Sequence, residues 1–266
     1  MNLYDFLPIR LLIEGAYWIV THLSDLLEPL AGAESAAIAI VLLTLAVRAA
    51  LIPVGRSQVK ATVMRQRLAP ELAELQRRYK KNPEQLQRKT MELYKREKAS
   101  PMAGCLPMLL QMPVLMAVYG LFMRPEIHGE ANQLLSHTFL GVPLDSRLSV
   151  MLGGTSLEFG SLAVFVSIMA LIGGVTWLSR RYVQQPAAQR AAQAQPARPA
   201  PVDGLPQMPD LSGLTKMLGF MPFLTVLFAA FVPLAAALYL LTTTTWTFCE
   251  RLILSKTIGA TVSASS

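Results

Sequence analysis

Two cysteines and three histidines are all that 266 residues offer for thiol or metal chemistry. Cys105 and Cys249 both fall in apolar stretches and lack metal-site spacing, so no disulfide is expected and each reads as small apolar filler. His22, His128 and His137 have no carboxylate or cysteine beside them at catalytic or ligand spacing. No glycine-rich phosphate loop appears. Neither an enzyme nor a cofactor is expected. Charge is scarce as well, at 15% of residues against 53% hydrophobic, a balance that soluble domains rarely show.

What is present is apolar sequence in blocks, at about 36–54, 105–123, 159–178 and 217–254. The last block is too long for one crossing. Its 38 residues would make roughly 57 Å of helix at 1.5 Å per residue, against a hydrocarbon core about 30 Å thick. Pro233, followed by the small residues Ala235 to Ala237, is the expected place for the chain to turn back. Five membrane helices follow.

Lysine and arginine collect on the cytoplasmic side of membrane spans, and here the sign of the connecting segments alternates. Residues 1–34 hold Arg10 against Asp5, Glu14, Asp25, Glu28 and Glu34, whereas residues 55–104 hold 13 Lys or Arg against 5 Glu. Residues 124–158 have two basic and four acidic side chains, and 179–216 have five basic and two acidic. An N-terminus outside and a C-terminus inside satisfy every segment. The sequence pI of about 9.6 therefore reflects inside loops, and no specific nucleic-acid partner is expected.

The first 34 residues lack the basic start and small-residue cleavage site of a cleavable signal. Leu12, Tyr17 or Trp18, Leu23, Leu26 and Leu27 recur near helical spacing, which predicts a helix lying in the outer interface. Residues 57–98 read as a basic helical hairpin. Leu68, Leu72, Leu75 and Tyr79 form one apolar stripe, and Leu86, Met91, Leu93 and Tyr94 a looser one. Asn82-Pro83-Glu84-Gln85 separates them as an N-cap, a first-position proline and the Gln of a capping box. Its basic side chains stay solvated or meet anionic lipid phosphates, at roughly 1 kcal/mol each near such a surface. The hairpin is either a positive topology anchor or a docking platform for nascent chains, a ribosome or a Sec-type translocase. Ser100 and Pro101 end it. The stretch 184–210, rich in Ala, Gln and Pro, reads as a flexible linker.

The expected organisation is an outer tail with an interfacial helix at 1–34 and spans at 35–55, 105–123, 159–178, 217–232 and 234–254. A cytoplasmic hairpin occupies 56–104, an outer loop 124–158, a cytoplasmic loop 179–216 and a cytoplasmic tail 255–266. This is an all-α polytopic membrane protein with five transmembrane helices, a cytoplasmic helical hairpin and an N-terminal interfacial helix.

The stretch Ser100-Pro-Met-Ala-Gly-Cys-Leu-Pro-Met-Leu-Leu-Gln-Met-Pro-Val-Leu-Met-Ala-Val-Tyr119 resembles the second-span signature of the YidC-type membrane protein insertases, with Gly104, Leu106-Pro107, Gln111 and Pro113 in register. Three further segments are similar: Leu-Thr-Leu-Ala-Val-Arg48, Pro70-Glu-Leu-Ala-Glu-Leu-Gln-Arg-Arg-Tyr79, and Met221-Pro222 through Pro233 to Leu238-Tyr239. The similarity covers about residues 10–254 and matches the short bacterial form, without a large outer domain. It implies a multi-pass protein of the bacterial inner or plasma membrane that inserts and helps fold nascent membrane proteins, through a hydrophilic groove open to the cytoplasm and to lipid. The chain departs from the family at Tyr239-Leu240-Leu-Thr-Thr-Thr244, at Glu250 and at Ser179.

The resemblance implies a groove arginine, here Arg48; the other candidate groove residues are Thr44, one turn away on the same helix face, Gln111 from the second span, and Tyr239, Thr243, Thr247 and Glu250 from the fifth. Arg48 lies in the apolar run Ala36 to Val54, where an arginine near mid-membrane costs about 3 kcal/mol on insertion scales. A guanidinium there suits an acidic or carbonyl-rich segment passing by. Its partner is left open among Glu250, Gln111, Thr44 and the moving substrate. Tyr239, Thr243, Thr247 and Glu250 follow at spacings of four, four and three, a stripe of hydroxyls ending in a carboxylate. A channel or secondary transporter is the competing class, although no inverted repeat is visible; a translocase-associated scaffold is the other.

Overall fold

The computed structural model describes residues 7–79, 82–97, 116–117, 120–122, 124, 126–127, 130–153, 158–185 and 224–263. They are mostly helical. The chain divides into two compact units, the first comprising residues 1–51, 108–177 and 220–248 and the second residues 52–107, 178–219 and 249–266. Most of the second expected span, residues 217–223 of the fourth, the Ser100-Pro101 stop, the 184–210 linker beyond Gln185 and His128 lie outside the described residues.

In the first unit, α1 (Leu7–Ala31) and α2 (Ser35–Ala50) are joined by a tight turn at Gly32, whose φ of +53° suits a residue without a Cβ. The hydroxyls of Ser24 and Ser35 lie 2.9 Å apart. Eleven residues of straight helix would hold them roughly 16 Å apart, so the chain folds back here. The buried face of α1 carries Ile9, Ile13, Val20 and Ser24. The stripe read from the sequence merges two faces: Leu12, Trp18 and Leu26 are exposed, whereas Leu23 and Leu27 pack on the core.

That core takes Ala36, Ala37, Ala39 and Ile40 from α2, Phe165, Ile168 and Ile172 from α6 (Phe159–Ser179), and Leu234 to Leu238 from α8 (Leu234–Ser263). The alanines on α2 let the backbones of α1 and α2 approach closely. Between α7 (Leu224–Ala229) and α8 the helix is interrupted at 230–233. Pro233 is buried immediately before α8, where its missing N–H costs nothing.

Residues 126–153 cap this end of the bundle. Two antiparallel pairs, β1 (Glu126–Ile127) with β2 (Glu130–Ala131) and β3 (Thr138–Phe139) with β4 (Val142–Pro143), precede the short α5 (Leu148–Gly153). Leu140 and Gly141, with φ of 51° and 78°, supply the two left-handed residues of a tight β-hairpin turn. The buried Asn132 amide donates to the carbonyls of Leu121 (2.7 Å) and Arg124 (3.0 Å), and its oxygen accepts from Leu134 N (3.2 Å). Glu34 accepts from Leu140 N at 2.8 Å. The first amides of α8, Leu234 and Ala235, donate to Ser146 O (2.9 Å) and Leu144 O (3.1 Å), so the cap satisfies donors that a helix start otherwise leaves open.

The apolar run around Arg48 is not one helix. It breaks at Leu51 (φ −87°, ψ 2°), because Pro53 brings no N–H and its ring opposes the carbonyl of Ala49. The Leu51 amide serves that end of α2, contacting the carbonyls of Val47 and Ala49. The chain resumes as α3 (Ile52–Arg78).

In the second unit, α3 and α4 (Pro83–Arg96) bury Leu68 and Leu93. Asn82 Oδ1 accepts from Gln85 N at 3.1 Å, with Pro83 at the helix start. Only half of the expected capping box forms, since the Asn82 amide is taken by Tyr79 O at 2.9 Å rather than by the Gln85 side chain.

Among the described residues, two stretches are long and apolar enough to cross a membrane: Ile9–Ala50, which takes in α1 and α2, and Phe159–Gln184, which takes in α6 and a π-helical turn at Arg180–Gln184. α8 has the length, at 30 residues. Its threonine run makes it less apolar.

Candidate functional site

In the first unit the packed core stops partway along α2 and α8, and polar side chains follow. On α2 the last fully packed apolar residue is Ile40. Thr44, one turn on, is buried and donates its hydroxyl proton to Ile40 O at 2.7 Å. Arg48 comes one turn later, half-buried, in the last turn of α2. The helix break at Leu51 thus puts Arg48 in the last turn of its helix, the end at which a cation is favoured by about 0.3–1 kcal/mol at exposed sites. The break offsets part of the cost that an arginine in an uninterrupted span would carry.

On α8 the hydroxyls divide into two kinds. Thr242 donates to Leu238 O (2.8 Å), Thr244 to Leu240 O (2.8 Å) and Thr247 to Thr243 O (2.8 Å). Those three protons go back to the helix itself. Thr243 Oγ1 and Trp246 Nε1 are buried and have no hydrogen-bond partner among the described residues. Three residues apart, they share one face of the helix. An indole N–H can only donate, and each orphaned group costs about 1–3 kcal/mol until a partner arrives. Tyr239, one turn before Thr243, is buried.

Trp246 was not among the residues singled out from the sequence, where a tryptophan in an apolar helix reads as filler. Its register signal was available, since it stands three residues after Thr243 and seven after Tyr239. Gln111 and Cys105 lie outside the described residues. Cys249 is a free, exposed cysteine on α8.

In the second unit Glu250 packs against the first turn of α3. A Cβ added at Gly55 would overlap its Oε1 and stand 2.7 Å from its Cδ and 3.3 Å from its Oε2. Oε1 is buried without a hydrogen-bond partner among the described residues. The hairpin carries a polar cleft of about 350 Å³ lined by Glu71, Glu74, Leu75 and Arg78 of α3 and Lys89, Glu92, Leu93 and Arg96 of α4. Arg96 pairs with Glu71 across it. The Lys89 ammonium, 2.7 Å away, holds the Glu92 carboxyl below its ordinary value, and Glu97 and then Glu71 raise the Arg96 guanidinium.

The family model described as 60Kd inner membrane protein matches residues 26–261. Among curated proteins, a "Membrane protein insertase YidC" of Clostridium perfringens is 48% identical over 85 residues, covering 32% of this chain and 36% of that protein. The protein of the same name from Oceanobacillus iheyensis is 35% identical over 134 residues, 48% of each chain. That of Xanthomonas campestris is 40% identical over 106 residues, 40% of this chain and 17% of the relative. The matched region thus spans less than half the length of each of these relatives.

Proposed function

Because the chain belongs to the 60Kd inner membrane protein family, a family of helical inner-membrane proteins, we propose that it is a membrane protein insertase that inserts and helps fold nascent membrane proteins. The observation that carries this reading is the pair of buried polar groups, Thr243 Oγ1 and Trp246 Nε1, that have no hydrogen-bond partner among the described residues, on a helix of 30 residues. In hydrocarbon such groups need a partner. A wet groove, or the polar end of a substrate sliding through it, supplies one.

In the proposed topology the chain crosses five times, N-terminus outside and C-terminus in the cytoplasm, with the cap at 126–153 on the outer side. The groove is lined by Arg48, Thr44, Gln111, Tyr239, Thr243, Trp246 and Thr247, with Glu250 further toward the cytoplasm. It shortens the dry part of the roughly 30 Å path that a substrate's short hydrophilic end must travel. The apolar part of the substrate leaves sideways into lipid, so no nucleotide is required. The α3–α4 hairpin, with its exposed lysines and arginines, is the docking element for anionic lipid and for a ribosome or Sec-type translocase.

The test is insertion of a short single-span substrate into liposomes containing the purified protein, read by protease protection. The expected result is insertion that falls several-fold in Trp246→Phe with Thr243→Val, which together delete both polar groups while keeping an aromatic ring at 246 and the side-chain shape at 243. Ion flux without insertion would make the protein a channel. Neither activity would leave a scaffold.

A further inference from the structure

The carboxyl of Glu250 occupies the space that any side chain at position 55 would need. Gly55 is therefore the residue that lets it lie against the first turn of α3, and a Cβ there would push it out. Seated in this way, Oε1 is buried and accepts no hydrogen bond from a described residue. Arg56 and Arg251, adjacent in sequence to the two contacting residues, are exposed, and neither gives Oε1 a donor. A carboxylate oxygen placed by a specific backbone notch and left without a donor is a half-made ion pair.

Resting on the insertase reading above, we propose that Glu250, seated by Gly55, receives the lysine or arginine that flanks the cytoplasmic end of a substrate span. On that reading the chain beyond Thr247 approaches the cytoplasmic face, the side on which basic flanking residues of membrane helices remain. A substrate entering with its basic flank trailing brings an ammonium or guanidinium to this level as its apolar segment moves into lipid. Glu250 supplies the acceptor, and the pair holds the flank on the inside while the span settles. The carboxylate thereby sets substrate preference and orientation.

The experiment uses the full chain in vesicles of phosphatidylglycerol, whose headgroup carries no ammonium or guanidinium cation, so that an organic cation reaching Glu250 from outside the chain comes from the substrate. Single-span substrates identical except for Lys-Lys, Gln-Gln or Asp-Asp at the cytoplasmic flank are compared, and the main readout is the ratio of the Lys-Lys to the Gln-Gln insertion rate. Glu250→Gln keeps the shape of the side chain and is expected to lower the Lys-to-Gln ratio roughly tenfold, the scale of a hydrogen bond to a charged group. Glu250→Lys is expected to invert the preference toward an Asp-Asp flank. Gly55→Ala, which displaces the carboxyl without removing it, is expected to lower the ratio in the same direction. A ratio unmoved by Glu250→Gln, with the wild type inserting both substrates, overturns this proposal and leaves the insertase reading standing. A wild type that inserts neither overturns both.

Discussion

Arg48 shows how much a single residue depends on where its helix ends. In the sequence it is an arginine within nineteen residues that are otherwise apolar but for Thr44 and Pro53, and it looks expensive. In the structure it belongs to the last turn of α2, because Pro53 stops the helix at Leu51. The same contrast holds for the threonines. Their spacing is visible in the chain, but which hydroxyls bond their own helix and which stay unpartnered is a matter of rotamer, so Thr247 and Thr243 cannot be told apart by spacing. Asn82 is the opposite case, a cap whose chemistry is local and therefore legible. Asn82→Ala is expected to cost about 1 kcal/mol of α4 stability. In the full chain, the check is amide exchange at Glu84 to Leu86, expected to be roughly fivefold faster; unchanged exchange would mean the α3–α4 packing alone holds the helix start.

At the scale of elements, boundaries follow proline and small residues. Pro233 marks the start of α8 and Pro53 the start of α3, each at a position where a missing amide does little harm. Pro53→Ala restores a donor and removes the ring that opposes Ala49 O, so α2 is expected to run on through Leu51. The measurement is amide exchange at Leu51 and Ile52, expected to slow by about tenfold; exchange at the wild-type rate would show that something other than the proline breaks the helix. The cap at 126–153 was beyond sequence reading. Its strands are two residues each, too short for a periodicity, and its hold on the bundle runs through backbone groups: Leu144 and Ser146 carbonyls on α8, and Leu140 N on Glu34. Side-chain patterns do not encode such bonds. The face of α1 was misread for a related reason, because a helix with leucines all round reveals its buried side only when its neighbour is known.

For the whole molecule, the alternating charge of the connecting segments makes an orientation prediction that is independent of any site. In a background with Cys105 and Cys249 replaced by alanine, Gln133→Cys is expected to react with a membrane-impermeant maleimide on intact cells. Gln87→Cys, on the exposed side of α4, is expected to react only after the membrane is opened. The reverse pattern would turn the molecule over, and labelling of both from outside would remove the hairpin from the cytoplasm.

The sequence by itself determined the class of molecule, since hydropathy and charge are properties of composition and order that no fold can alter. It also determined the family, through motifs such as Gly104, Leu106-Pro107, Gln111 and Pro113 that stand in register in the chain. Only the tertiary structure decided which polar atoms are left without partners. Among the described residues Trp246 Nε1 and Thr243 Oγ1 have no partner, and the Glu250 carboxyl finds its seat at Gly55, because burial and hydrogen bonding depend on what surrounds an atom in space; Gly55 and Glu250 stand nearly two hundred residues apart in the chain.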